Sequence, residues 1–160
     1  MNLALQQELN PERPGVKQLK IGDRIFREND RVIQTRNNYD LGVYNGDIGR
    51  ITEIDLDSFQ CWIQFGKQEP VLYEKEDLME ISLAYGITIH KSQGSEFDAV
   101  IIPVATQHFK MLFRNLIYTG LTRAKKLCVF VGQRKALAMA IRQIDSRKRQ
   151  TALQALLLEP

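Results

Sequence analysis

From about Gly42 to Glu80 apolar and polar positions alternate with a period of two. Ile48 to Asp55 is one such run; Phe59, Cys61, Ile63 and Phe65 set against Gln60, Trp62 and Gln64 form a second; Val71 and Tyr73 mark a third. Turn-forming residues at Asp55 to Ser58 and Gly66 to Pro70 separate them. Short strands with short turns and no helical stretch predict a small antiparallel barrel or meander of about 40 residues. A unit of that size is poorly stabilised alone, so it is expected as an insertion in a larger domain.

The pattern changes in the second half. AVIIPV (Ala99 to Val104) and LCVFVG (Leu127 to Gly132) are continuous apolar runs of strand length, the character of parallel strands covered on both faces. Between them Phe109, Leu112, Phe113, Leu116 and Ile117 follow the i, i+3, i+4, i+7, i+8 spacing of an amphipathic helix, and Arg134 to Ile144 predicts a second helix. Strand, helix, strand, helix predicts an α/β layered domain.

At the front, Asn2 is expected to cap a short helix with Leu3, Leu5 and Leu9 as its apolar positions, before Pro11, Pro14 and Gly15 break it. Turns at Gly22–Asp23 and Asn29–Asp30 precede RVIQTR (Arg31 to Arg36), a predicted strand leading into NNYDLGVYNGDIG, where Asn45 and Gly46 supply a tight turn. The alternation of Leu83, Tyr85, Ile87 and Ile89 predicts another strand, feeding a polar loop. The start of the chain is expected to be cut from something longer, and its last residues, TALQALLLEP, to be loosely held.

With 160 residues and 44% hydrophobic content, one sizeable core and one accessory unit are expected in a globular, soluble protein. No apolar run approaches the roughly 20 residues that span a bilayer, and the N-terminus lacks the order of a signal peptide, so no membrane association and a cytoplasmic location are expected. Cys61 and Cys128 are isolated and there are two histidines, which suggests neither a disulfide framework nor a metal site. Net charge is +3, but residues 1–41 carry 7 basic and 6 acidic groups, 42–82 carry 3 and 9, and 83–160 carry 12 and 4. A basic C-terminal half suits a polyanion such as nucleic acid or a nucleotide; an acidic middle argues against phosphate binding over the whole surface.

Candidate chemistry gathers in HKSQGSE, residues 90 to 96, which holds a base, a cation, two hydroxyls, an amide, a glycine and a carboxylate immediately before a buried strand. Such density at a strand terminus suggests a ligand site. A second polar segment, YTGLTRAKK (Tyr118 to Lys126), places Arg123 near a helix end, where its planar fork can reach outward.

In order and separation these two segments resemble motifs V and VI of superfamily 1 DNA helicases. The resemblance is to the RecD-like branch, which includes the exodeoxyribonuclease V alpha subunit, and rests on TIHKSQGSEFD (Thr88 to Asp98), YTGLTRAKK, and NDRVIQTRNNYDLGVYNGDIG (Asn29 to Gly49). It implies a second RecA-like motor domain over residues 1–41 and 81–160, carrying an inserted SH3-like β-barrel at 42–80. By the same resemblance Gly94 and Glu96 approach the nucleotide, Arg123 is the catalytic arginine finger on the γ-phosphate, and Thr88 and His90 contact the phosphates of single-stranded DNA. One loop touching both ligands would couple nucleotide state to grip on the strand. The implied cofactors are ATP and Mg²⁺. The implied partners are single-stranded DNA, the N-terminal motor domain of the same parent chain and other exonuclease V subunits.

Nowhere does GxxxxGK[ST] occur, and no apolar strand ends in paired acids for Mg²⁺. The chain is therefore expected to be a C-terminal piece that does not hydrolyse ATP alone, within a parent that does. The alternative reading is a non-catalytic module whose loops bind only nucleic acid or a protein.

Overall fold

Gly22, at φ 58°, turns Gln18–Ile21 (β1) back on Arg24–Arg27 (β2), pairing Ile21 with Arg24 and Gln18 with Arg27. The structure, a computed structural model, describes residues 1–143, which divide into two units after Lys91. The expected helix at Arg134 to Ile144 therefore ends outside the described residues by one position, and TALQALLLEP lies outside them entirely.

In the first unit the period-two alternation becomes a five-stranded antiparallel sheet. Its strands are Arg31–Gln34 (β3), Ile48–Asp55 (β4), Gln60–Phe65 (β5), Val71–Tyr73 (β6) and Ile81–Leu83 (β7), in the order β6-β5-β4-β3-β7. The sheet thus runs wider than residues 42–80, taking in strands on either side of that segment. A short 3₁₀ turn, Asp77–Glu80, interrupts the all-strand run expected there. Ile51, Ile54, Ile63, Leu78 and Ile81 are fully buried, each contributing about 1.5–3 kcal/mol relative to exposure. Gly49 is needed for close approach: a Cβ there would meet Ile63 Cγ2 at 2.7 Å and the Phe65 ring at 2.9 Å. Cys61 is buried in this core, and burial pushes its thiol up to about 12, a small hydrophobe rather than a nucleophile.

The opening helix, Asn2–Leu9 (α1), forms, but not as its apolar residues suggest. Asn2 does not cap it; its side chain donates to the Leu83 carbonyl at 2.9 Å and accepts from the Gly86 amide at 2.7 Å. Leu3 and Leu9 are exposed, and the buried residue is Gln6. The reason is Asp30, itself fully buried. Its carboxylate accepts from Gln6 Nε2 at 2.5 Å, Asn10 Nδ2 at 2.7 Å, the Arg27 amide at 2.8 Å and the Tyr85 hydroxyl at 2.7 Å. Four donors around one buried charge outweigh two leucines on a single helix face. The strand expected over Leu83 to Ile89 ends at Leu83, because Tyr85 and Gly86 are drawn into these side-chain bonds instead of a ladder.

In the second unit Phe97–Val104 (β8) and Ala124–Gly132 (β9) pair in parallel, joined by the helix Arg114–Leu121 (α2) and followed by Arg134–Arg142 (α3). Helix α2 begins later than the Phe109 to Ile117 spacing predicts: Thr106–Met111 is a 3₁₀ segment with a kink at His108, and Phe109 is exposed. Ile102, Val104, Leu112, Ala136 and Ala140 form the core, with Val100, Ile117, Cys128, Phe130 and Leu137 packed against it. Cys128 is half-buried. Among the described residues the pair is covered on one face only, not on both as the apolar runs predict, since Ile101, Leu127, Val129 and Val131 are exposed.

Asp30→Asn should lower the urea-unfolding free energy by about 3 kcal/mol, since an amide offers one acceptor where four donors converge. Burial and Asp30 push the Tyr85 hydroxyl up to about 12, against 10.0 ordinarily. Stability tied to its neutral form is present below pH 10 and falls as pH rises toward 12, because the unfolded chain gives up that proton first. Tyr85→Phe should make the alkaline fall in melting temperature shallower over that window.

Candidate functional site

Parallel pairing brings Ser92 to Glu96, the second unit's share of the first polar segment, to the same end of that unit as Arg123. The ladder opens at Phe97 opposite Ala124, so the residues preceding each strand lie side by side. The Phe97 amide donates to the Arg123 carbonyl at 2.8 Å, and the Arg123 amide to the Gly120 carbonyl at 3.2 Å, which fixes Arg123 just past the end of α2.

From there the Arg123 side chain reaches the other segment. Its Nη1 donates to the Ser95 carbonyl at 3.2 Å and its Nη2 to Thr122 Oγ1 at 3.3 Å. Nε is buried and has no hydrogen-bond acceptor among the described residues. A buried N–H left unpaired costs about 1–3 kcal/mol, so this arrangement leaves the fork short of one acceptor.

Ser95 sits in a turn closed by its own amide on the Ser92 carbonyl at 3.1 Å, with Gly94 at φ 83°. That backbone conformation suits glycine, and the space where a Cβ would stand is open. Glu96 pairs with Lys125 at 3.3 Å and Asp98 with Lys126 at 3.2 Å. All four side chains are more than half exposed, so these pairs contribute little to stability.

Of the expected site residues, Gly94, Glu96 and Arg123 are thus assembled, with Arg123 bonded to the residue between the other two. Thr88 and His90 belong to the first unit and are exposed. Thr88 Oγ1 accepts from the Lys91 amide at 3.2 Å, a local turn bond that leaves the hydroxyl hydrogen available. Sequence reasoning missed the Ser95 carbonyl and Lys125, and no signal pointed to the first, since any residue carries a carbonyl. Among the described residues no group of three or more His, Cys, Asp or Glu converges to hold a metal ion, and no helix is long and apolar enough to cross a membrane.

Two family descriptions match: residues 1–65 match the SH3 domain of ATP-dependent RecD-like DNA helicases, and residues 83–131 the UvrD-like helicase C-terminal domain. The chain is 33% identical to the ATP-dependent RecD2 DNA helicase of Deinococcus radiodurans over 148 residues, 92% of this chain and 20% of that one. It is 39% identical to the RecBCD enzyme subunit RecD of Haemophilus influenzae over 126 residues, 79% of this chain and 18% of that one. The chain therefore spans about a fifth of the length of these curated relatives. In fold it is similar to the Pif1 helicase from Bacteroides in complex with ADP-AlF3 and single-stranded DNA, with a TM-score of 0.55, 20% identity, and coverage of 87% of this chain and 39% of that one.

Because its ion pair is solvent-screened, Glu96→Gln should change the unfolding free energy by less than about 1 kcal/mol. A larger loss in chemical denaturation would make Glu96 a structural residue rather than one held free for a ligand.

Proposed function

We propose, from the premise that the chain belongs to the RecD-like branch of superfamily 1 DNA helicases, that it supplies the second motor domain of an ATP-dependent DNA translocase. Its fold is that of the family: an SH3-like antiparallel unit and a RecA-like α/β layer. The observation that carries the proposal is the Arg123 guanidinium bonded to the Ser95 carbonyl, which joins the two polar segments into one cationic end.

The residues there fit the phosphate end of a nucleotide. Arg123 offers a permanently charged fork whose buried Nε–H is unanswered among the described residues, Gly94 leaves open space beside the turn, and Glu96 is paired with an exposed lysine. ATP, when bound, supplies the phosphoryl group whose transfer drives movement. Arg123 would swing from Ser95 toward the charge that develops on the γ-phosphate and stabilise it. Mg²⁺ and the phosphate cradle would come from the N-terminal motor half of the parent, and the exposed face of Ile101, Leu127, Val129 and Val131 is suited to packing more of the same fold. The Thr88 hydroxyl and the His90 ring would hold phosphates of the single strand.

The 160-residue chain alone should show no DNA-stimulated ATP turnover. In the chain extended to the length of its relatives, Arg123→Ala should lower turnover by roughly 10³ or more with a smaller effect on ATP binding. Equal losses in binding and turnover would make Arg123 an ordinary ligand.

A further inference from the structure

The NNYDLGVYNG segment between β3 and β4 has no part in the chemistry described so far, yet it exposes two aromatic rings. We propose that Tyr39 and Tyr44 form a stacking site for the unpaired bases of single-stranded nucleic acid; this rests on the reading of the chain as part of a DNA translocase.

The rings are 76% and 51% exposed, with centroids 6.1 Å apart and planes at 79°. An edge-to-face pair occupies a single ring face, so other faces remain for a base. Exposed aromatics on a loose loop would lose entropy on binding, but this loop is braced. Asn38 and Val43 exchange both backbone bonds, at 2.8 and 3.0 Å, and the Asn45 amide donates to Asn37 Oδ1 at 2.9 Å. Beneath them Asn38 Nδ2 donates to Asp77 Oδ1 and Glu80 Oε2, each at 3.2 Å, anchoring the loop to the 3₁₀ turn. The backbone that carries the rings is therefore held in place before a ligand arrives.

The surroundings select the ligand. Asn37, Asp40 and Asn45 at the rim are exposed and polar, unlike the apolar patch a protein helix would need. Residues 42–82 carry 3 basic and 9 acidic groups, which disfavours gripping a phosphate backbone. What this loop offers is ring faces, and nucleobases are the partners that use them, at about tenfold or more in affinity per base.

The test uses the full 160-residue chain and fluorescein-labelled oligomers of about 12 nucleotides, one of thymidine and one abasic throughout, followed by anisotropy. Tyr39→Ala with Tyr44→Ala should weaken binding of the thymidine oligomer about tenfold or more and leave the abasic one unchanged, whereas the Phe versions should bind as the unsubstituted chain does. Unchanged thymidine binding, equal loss on both oligomers, or Phe proving as harmful as Ala each overturns the inference. Melting curves check folding, and if the double substitution unfolds, the single ones are judged by the same outcomes. Weakened binding by Thr88→Ala with His90→Ala, but not by the tyrosine variants, leaves the helicase reading standing and removes the stacking site. The converse keeps the stacking site and removes the proposed Thr88 and His90 contacts. No binding by the unsubstituted chain at millimolar concentration overturns both.

Discussion

The parallel pairing of β8 with β9 is the constraint on which the candidate site depends. Parallel neighbours cannot be joined by a tight turn, so a crossover is required, and α2 provides it. Both strands then start at the same end, and whatever precedes them meets there. Phe97 opposite Ala124 sets the register, and with it the Arg123 carbonyl under the Phe97 amide and the Arg123 fork on Ser95. A slip of one residue would send the side chains of β9 to the opposite faces and undo the assembly. At the far end the ladder is equally tight: Gly132 has φ 138°, and a Cβ there would stand 2.0 Å from the Val104 carbonyl oxygen.

The first unit is held by a different device. Its apolar core is continuous across the sheet, but the segments outside the sheet are fixed by two buried polar groups. Asp30 collects α1, β2 and Tyr85. Gln34 accepts from the Tyr73 hydroxyl at 3.0 Å and donates to Glu80 at 3.0 Å, so the 3₁₀ turn and β6 are tied to β3. Buried hydrogen-bonded groups of this kind specify one arrangement, because each alternative leaves a donor or a carboxylate unanswered in a medium that penalises it.

These two modes of construction suit different tasks. The α/β layer leaves Arg123 partly satisfied, bonded through Nη1 and Nη2 with Nε unpaired among the described residues, so a charged acceptor has something to gain there. The antiparallel unit braces the backbone of the loop that carries Tyr39 and Tyr44 with hydrogen bonds of its own.

How far these features could be read beforehand follows from how local each one is. Alternation over Ile48 to Asp55 and over Gln60 to Phe65, the turn at Gly22, and the apolar runs at Ala99 to Val104 and Leu127 to Gly132 depend on neighbours a few positions apart, and each forms the element predicted, although the two apolar runs are not covered on both faces as expected. The same information misplaced the start of α2, because it counts apolar spacing at Phe109 and Leu112 but not the kink at His108. It also marked Leu3 and Leu9 as the apolar positions of α1, where Gln6 is the residue that is buried, and gave Asn2 a cap it does not make. In each polar case the deciding partner is distant: Asp30 lies 24 residues from Gln6, Leu83 lies 81 from Asn2, and Ser95 lies 28 from Arg123. The sequence by itself determined the turns, the position of the polar segments and the strands marked by alternation or an apolar run, though not that β7 ends at Leu83, since hydrophobic period and turn chemistry are short-range properties. Which polar groups meet, and so where Arg123 points, was decided only by the tertiary structure, because a hydrogen bond needs its partner in space and no local pattern names it.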